Sequence, residues 1–131
     1  MATIFSKIIA GEIPSYKIAE DEHYYAFLDI SPLTKGHTLV VPKMEEDYIF
    51  NLDDTSLSGL ILFSKRVAKA IEKTVPCTRV GLAVIGLQVP HTHIHLIPIQ
   101  DENDMNFANP KLKPEAEEMQ KIAESIRQQF K

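Results

Sequence analysis

The sequence predicts an α+β domain: a five-stranded antiparallel sheet, two main helices and a short helix at the N-terminus. Three observations predict it. Short runs of β-branched and aromatic residues follow one another across brief polar turns, which suits antiparallel neighbours. Two longer stretches carry apolar residues at helical spacing. No repeat, linker or low-complexity stretch interrupts the 131 residues, so 1–131 reads as a single domain.

The first element is a helix over Ile4–Ala10, with Ile4, Phe5, Ile8 and Ile9 on one face. Thr3 caps its start and Gly11 stops it. Pro14 then forces an extended path. Residues 16–19 and 24–28 read as a hairpin across the polar turn Glu20-Asp21-Glu22, with His23 facing solvent beside it. Asp29-Ile30-Ser31-Pro32 breaks the second strand, because Pro32 disfavours helix at Ser31. Gly36 punctuates the loop, and the β-branched run 37–41 is a third strand ended by Pro42.

Asp53-Asp54-Thr55 caps a long helix whose apolar face is Leu57, Leu60, Ile61, Val67, Ala68 and Ile71. Pro76 terminates it. The continuous apolar run 80–85 reads as a buried strand, and Gly86-Leu87 turns the chain into a fifth strand over 89–99. Residues 100–110 are polar and irregular. A last helix opens near Pro114, with a stripe of Met119, Ile122, Ala123, Ile126 and Phe130.

Composition narrows the function classes. The net charge of −4 is spread without blocks, so the basic stripe of a general nucleic-acid binder is missing. A small phosphorylated ligand remains compatible, because backbone N–H groups and a few side chains can hold one anion. Cys77 is the only cysteine, which excludes an internal disulfide and a cysteine-built zinc site. A lone thiol suits a reducing compartment. As a nucleophile Cys77 lacks supporting context, since Val75, Pro76 and Thr78 around it read as a turn. Without a secretory signal or a membrane-length apolar run, the expectation is a soluble cytoplasmic protein with no membrane partner.

Three of the five histidines stand at 91, 93 and 95. In a strand, residues two apart share a face, so these three would form a row, with Ile94 and Leu96 turned to the core. Three readings compete. The rings could be satisfied polar groups on a half-wet sheet. They could share one metal ion, although the nearby strand offers no Asp, Glu or Cys. Or they could perform nucleophilic catalysis on phosphorus. Neutral imidazole is a good nucleophile near pH 7, and a neighbouring ring can stabilise phosphate oxygens or protonate a leaving group.

His91-Thr92-His93-Ile94-His95-Leu96-Ile97 resembles the motif of the histidine triad (HIT) superfamily, departing from it at Thr92, where an apolar residue is usual. The likeness extends to Ile4–Pro14, to Ala26–Pro32 and to Gly36–Lys43, in family order. It points to the branch of bacterial nucleoside phosphoramidases and dinucleoside polyphosphate hydrolases. The resemblance implies a homodimer that joins two five-stranded sheets into one of ten strands, with the long helix at the interface. It also implies roles. His93 would attack the α-phosphorus and carry a transient nucleotidyl group, with the carbonyl of His91 holding its other nitrogen. His95 would contact phosphate oxygens and help the leaving group, and His37 would support the triad. Asp29 would bind the ribose hydroxyls, with Ile30, Phe5 and Phe27 near a purine base.

Two departures concern the leaving-group side. Many members carry Gly-Gln-Ser or Gly-Gln-Thr before the motif, whereas this chain reads Gly86-Leu87-Gln88-Val89-Pro90, which leaves Gln88 to meet phosphate. The Asn that often ends the preceding strand is absent from Leu82-Ala83-Val84-Ile85. The expected activity is hydrolysis at the α-phosphate of a purine nucleotide conjugate, needing no metal for the attack, though magnesium could accompany a polyphosphate. The alternatives are a nucleotide-binding or partner-binding protein with incidental hydrolysis, and a nucleotidyltransferase.

Overall fold

The computed structural model describes residues 2–131. Helix α1 (Ile4–Ile9) is followed by strands β1 (Lys17–Glu20), β2 (Tyr24–Leu28) and β3 (Thr38–Pro42). Helix α2 (Asp54–Thr74), strands β4 (Arg79–Ala83) and β5 (Ile94–Ile99), and helix α3 (Ala116–Gln129) complete the chain. The strands form one five-stranded sheet in the order β1-β2-β3-β5-β4, antiparallel throughout.

The sheet is buried on both faces at its centre. Tyr24, Ala26 and Leu28 of β2, Val40 of β3, and Ile94 and Leu96 of β5 join Leu60, Phe63, Val67 and Ile71 of α2 and Met119, Ile122 and Ile126 of α3 in the main core. The alternate residues Tyr25, Phe27, Leu39 and Val41 meet Phe5 and Ile8 of α1 in a smaller cluster on the opposite face. The two-residue period thus places His95 on the α1 face, since its neighbours Ile94 and Leu96 point to the other helices.

Capping fixes the helix starts. Thr3 Oγ1 accepts from Ser6 N–H at 3.0 Å, and Asp53 Oδ1 accepts from Ser56 N–H at 2.7 Å. Gly11 sits at φ +82° past the end of α1, the left-handed conformation a helix stop uses.

Four sequence expectations are corrected. First, β5 begins at Ile94 and not at residue 89. Pro90 has no N–H, His91 N–H turns back to Val89 O at 2.8 Å, and Thr92 gives its N–H and hydroxyl to Glu46 O. The approach therefore spends its hydrogen bonds outside the sheet. Second, 80–85 is no buried strand. β4 is a half-exposed edge ending at Ala83, with Leu82 and Ile85 open to solvent. Third, Ile61 is exposed on α2, and Phe63 and Ala70 take core positions. Fourth, Ile4 of α1 is exposed, leaving Phe5 and Ile8 as its buried face. None of the helices among the described residues is long and apolar enough to cross a membrane.

Candidate active site

The α1 face of the sheet opens into a cleft of about 640 Å3, within the range of roughly 300–1,000 Å3 typical of small-molecule sites. Phe5, Phe27, Asp29, Ile30, His37, Gln88, His93 and His95 all line it. The sheet register explains the grouping. Leu39 of β3 pairs with His95 of β5, and β2 pairs with β3 up to Leu28 opposite Thr38. One step further, Asp29 N–H donates to His37 O at 3.0 Å, so Asp29 and His37 extend that ladder into the cleft.

The expected row of three histidines is replaced by a different arrangement. His95 alone of the three lies within β5. His93 still comes beside it, with ring centroids 5.0 Å apart. His91 does not line the cleft. It is fully buried, with Nε2 bonded to Pro42 O at 2.8 Å and Nδ1 bonded to Thr3 Oγ1 at 2.7 Å. A carbonyl only accepts, so His91 Nε2 carries the proton and Thr3 donates to Nδ1. His91 therefore locks the N-cap of α1 to the end of β3, and Phe5 of α1 in turn packs edge-on against the His93 ring at 5.1 Å.

The same logic assigns every ring in the cleft. His93 Nδ1–H donates to His91 O at 2.7 Å, which leaves the lone pair on His93 Nε2. Leu33 N–H donates to His37 Nδ1 at 2.9 Å, so His37 carries its proton on Nε2 and donates to His95 Nδ1 at 3.0 Å. His95 then holds its own proton on Nε2. The result is an acceptor nitrogen on His93 next to a donor nitrogen on His95. This pairs a nucleophilic lone pair with a hydrogen-bond donor for the group under attack.

Burial favours the neutral form of His37, His95 and His91. Desolvation, helped by the neighbouring charges of His95 and Lys111, pushes His37 down to about 3. Desolvation and then His93 push His95 down to about 4. Burial lowers His91 as well. Asp29 is raised above the usual carboxylate range by burial, against the Ser31 N–H bond that lowers it. Asp29 Oδ1 accepts that bond at 2.8 Å, so the residue holds its turn, while Oδ2 stands 3.6 Å from His37 Nε2. Gln88 and Ile30 are exposed at the cleft, and His23 faces solvent as expected.

Asp29, His37 and His95 also offer ligand atoms within 4.8 Å of one another. An ion held there would need His37 Nε2 stripped of its proton and His95 Nδ1 freed from its bond, so it would compete with the network just described.

Among the lining residues that escape the sequence reading are an aromatic ring and a cation. Phe107 packs on His95 at 4.8 Å between centroids, and Lys111 reaches the same cleft. They lie in a polar stretch with no periodicity, and a lone aromatic among asparagines was the one available signal.

An α+β sheet that presents His95 from a central strand, with His93 just before that strand and the Asp29 turn beside them, defines the class. The HIT domain model matches residues 10–102, and the chain belongs to the histidine triad family. It is 35% identical over 133 residues to the adenosine 5'-monophosphoramidase hnt1 of Schizosaccharomyces pombe, covering 100% of both chains. It is 36% identical over 131 residues to an uncharacterized HIT-like protein of Borreliella burgdorferi, covering 94% of each. The crystal structure of a Hit-like protein from Bartonella henselae superposes with a TM-score of 0.85 at 29% identity, covering 98% of this chain and 96% of that one.

Proposed function

We propose that the cleft binds a purine nucleotide conjugate and hydrolyses it at the α-phosphorus, through a nucleotidyl group carried transiently on His93. One observation carries the reading: His93 Nδ1 is committed to His91 O at 2.7 Å, which makes Nε2 the nucleophilic atom beside a His95 that can donate. The similarity to an adenosine 5'-monophosphoramidase supports phosphoramidates as substrates, with dinucleoside polyphosphates as the second class.

His93 Nε2 forms a bond to phosphorus as the bond to the leaving nitrogen or oxygen breaks. The leaving group takes the electron pair of that bond and a proton from solvent, while the neutral His95 donates a hydrogen bond to it through Nε2–H. Water then attacks the nucleotidyl-histidine and loses a proton to solvent, and the breaking bond to phosphorus returns its electron pair to His93 Nε2 as the nucleoside monophosphate is released. Because His37 and His95 are neutral, His95 acts as a hydrogen-bond donor to phosphate oxygens. Asp29 holds the ribose hydroxyls, Phe5, Phe27 and Ile30 flank the base, and Gln88 meets phosphate. No metal takes part in the attack, and magnesium would enter only with a polyphosphate.

The reading includes a homodimer joined along β4. An edge strand leaves unpaired backbone groups, and here the exposed apolar residues Leu82 and Ile85 at β4 and Ile61 and Leu62 on α2 invite a second copy. It also places the protein in the cytoplasm, in keeping with the free thiol of Cys77.

Turnover of adenosine 5'-phosphoramidate tests the function. Wild type should release AMP, and His93→Ala should lose turnover while still binding AMP. Wild type that binds AMP and hydrolyses no adenylated compound would leave a binding protein instead.

A further inference from the structure

Residues 106–112 carry the chain from a 3-10 turn (Glu102–Met105) towards α3, and the attack described above makes no use of them. Yet they form a fixed strap beside the histidines. Leu112 N–H donates to Pro32 O at 2.9 Å, and Asn109 Nδ2 donates to Asn103 O at 2.7 Å. The Phe107 ring stands edge-on to His95 and to His37, at 4.8 and 6.4 Å between centroids.

Lys111 is the part that carries charge. Its ammonium donates to Phe107 O at 2.5 Å and Asn109 O at 3.0 Å, which occupies two of its three N–H donors. A lysine at the surface normally extends its head into water. This one is tied back to its own loop, and among the described residues it is the one Lys or Arg lining the cleft. Its charge is felt at both Asp29 and His37. His37 and His95, which are neutral, and Asp29, a carboxyl group, supply no fixed positive charge to the cleft. A phosphoramidate monoester brings one phosphate to this cleft. Other nucleotide conjugates bring more, and Lys111, exposed where it lines the cleft, offers an added anion a cationic partner.

We propose that Lys111 is the subsite for a second phosphate on the nucleotide conjugate, besides the one that His93 attacks. The proposal rests on the hydrolytic reading above and narrows its substrate class to conjugates with at least two anionic groups. That second phosphate has two sources: the next position along a polyphosphate chain, or the ribose.

The test compares kcat/KM of the full chain on adenosine 5'-phosphoramidate, diadenosine tetraphosphate and adenosine 3'-phosphate 5'-phosphoramidate. Wild type should prefer one of the two substrates that carry more than one phosphorus group, and which one identifies the source. Lys111→Gln should cut that preference ratio by about ten- to a hundredfold, the scale of one charge-assisted hydrogen bond, chiefly through KM. Lys111→Arg should restore most of it. A purely structural strap would lower all three substrates alike, and that result would overturn the proposal. Calorimetry separates this failure from failure of the hydrolytic reading. Even without turnover, ADP or adenosine 3',5'-bisphosphate should bind wild type more tightly than AMP does, and Lys111→Gln should erase the difference. Equal binding of all three nucleotides to wild type would refute the subsite.

Discussion

Thr3→Val removes one hydroxyl and tests how the site is held. That hydroxyl does two jobs. It accepts Ser6 N–H as the N-cap of α1 at 3.0 Å, and it donates to Nδ1 of the fully buried His91 at 2.7 Å. Loss of a threonine cap costs about 1 kcal/mol. Leaving a buried ring nitrogen without a partner costs about 1–3 kcal/mol more. The expected destabilisation is therefore about 2–4 kcal/mol by urea denaturation with an unchanged m-value. Thr3→Ser keeps both bonds and should stay within about 0.5 kcal/mol of wild type. Because His91 O orients His93, Thr3→Val should also lower kcat more than it raises KM. A Thr3→Val protein as stable as wild type would refute the role assigned to His91.

Acid should loosen the fold before it protonates the site. His37 and His95 are held down to about 3 and about 4, against an ordinary value of 6.5, so between these limits the unfolded chain binds the extra protons. Their contribution is complete above pH 6.5 and lost as pH falls, by up to about 2 kcal/mol per ring at pH 5. Urea midpoints from pH 7 to 5 should drop accordingly, and His95→Gln should flatten the slope; a flat wild-type profile would contradict the neutral pair. Gly36→Ala should destabilise by about 1–2 kcal/mol from backbone handedness alone. Gly36 lies at φ +93°, and an added Cβ would stand 2.9 Å from Val75 Cγ2. Thermal unfolding checks this, and a neutral result would remove the strain.

Much of the frame was legible because the sheet's buried strands and the two long helices obey simple periods. Tyr24–Leu28 and Thr38–Pro42 are buried at every position because both faces of the sheet centre are covered. The same signal misled at β4, since an edge strand with apolar outward residues has the composition of a buried one. The histidines were legible as a group, but their arrangement was not. Alternation predicts a row, while Thr92 bonds Glu46, 46 positions away, and pulls the approach out of the sheet. His91 looks like its neighbours in sequence, and only Thr3 and Pro42, distant in the chain, turn it into a brace. Phe107 left only the trace of a lone aromatic among asparagines and Lys111 left none, because the strap is held by caps and carbonyls that follow no repeat.

The most direct measurement is the intact mass of enzyme quenched within one turnover of an adenylated substrate. Wild type should gain one adenylyl group, mapped by peptide sequencing to His93 and lost on mild acid treatment, while His93→Ala gains none. An adduct on another residue, or a wild type that releases AMP with no adduct at any quench time and with inverted configuration at a chiral α-phosphorothioate, would contradict the account.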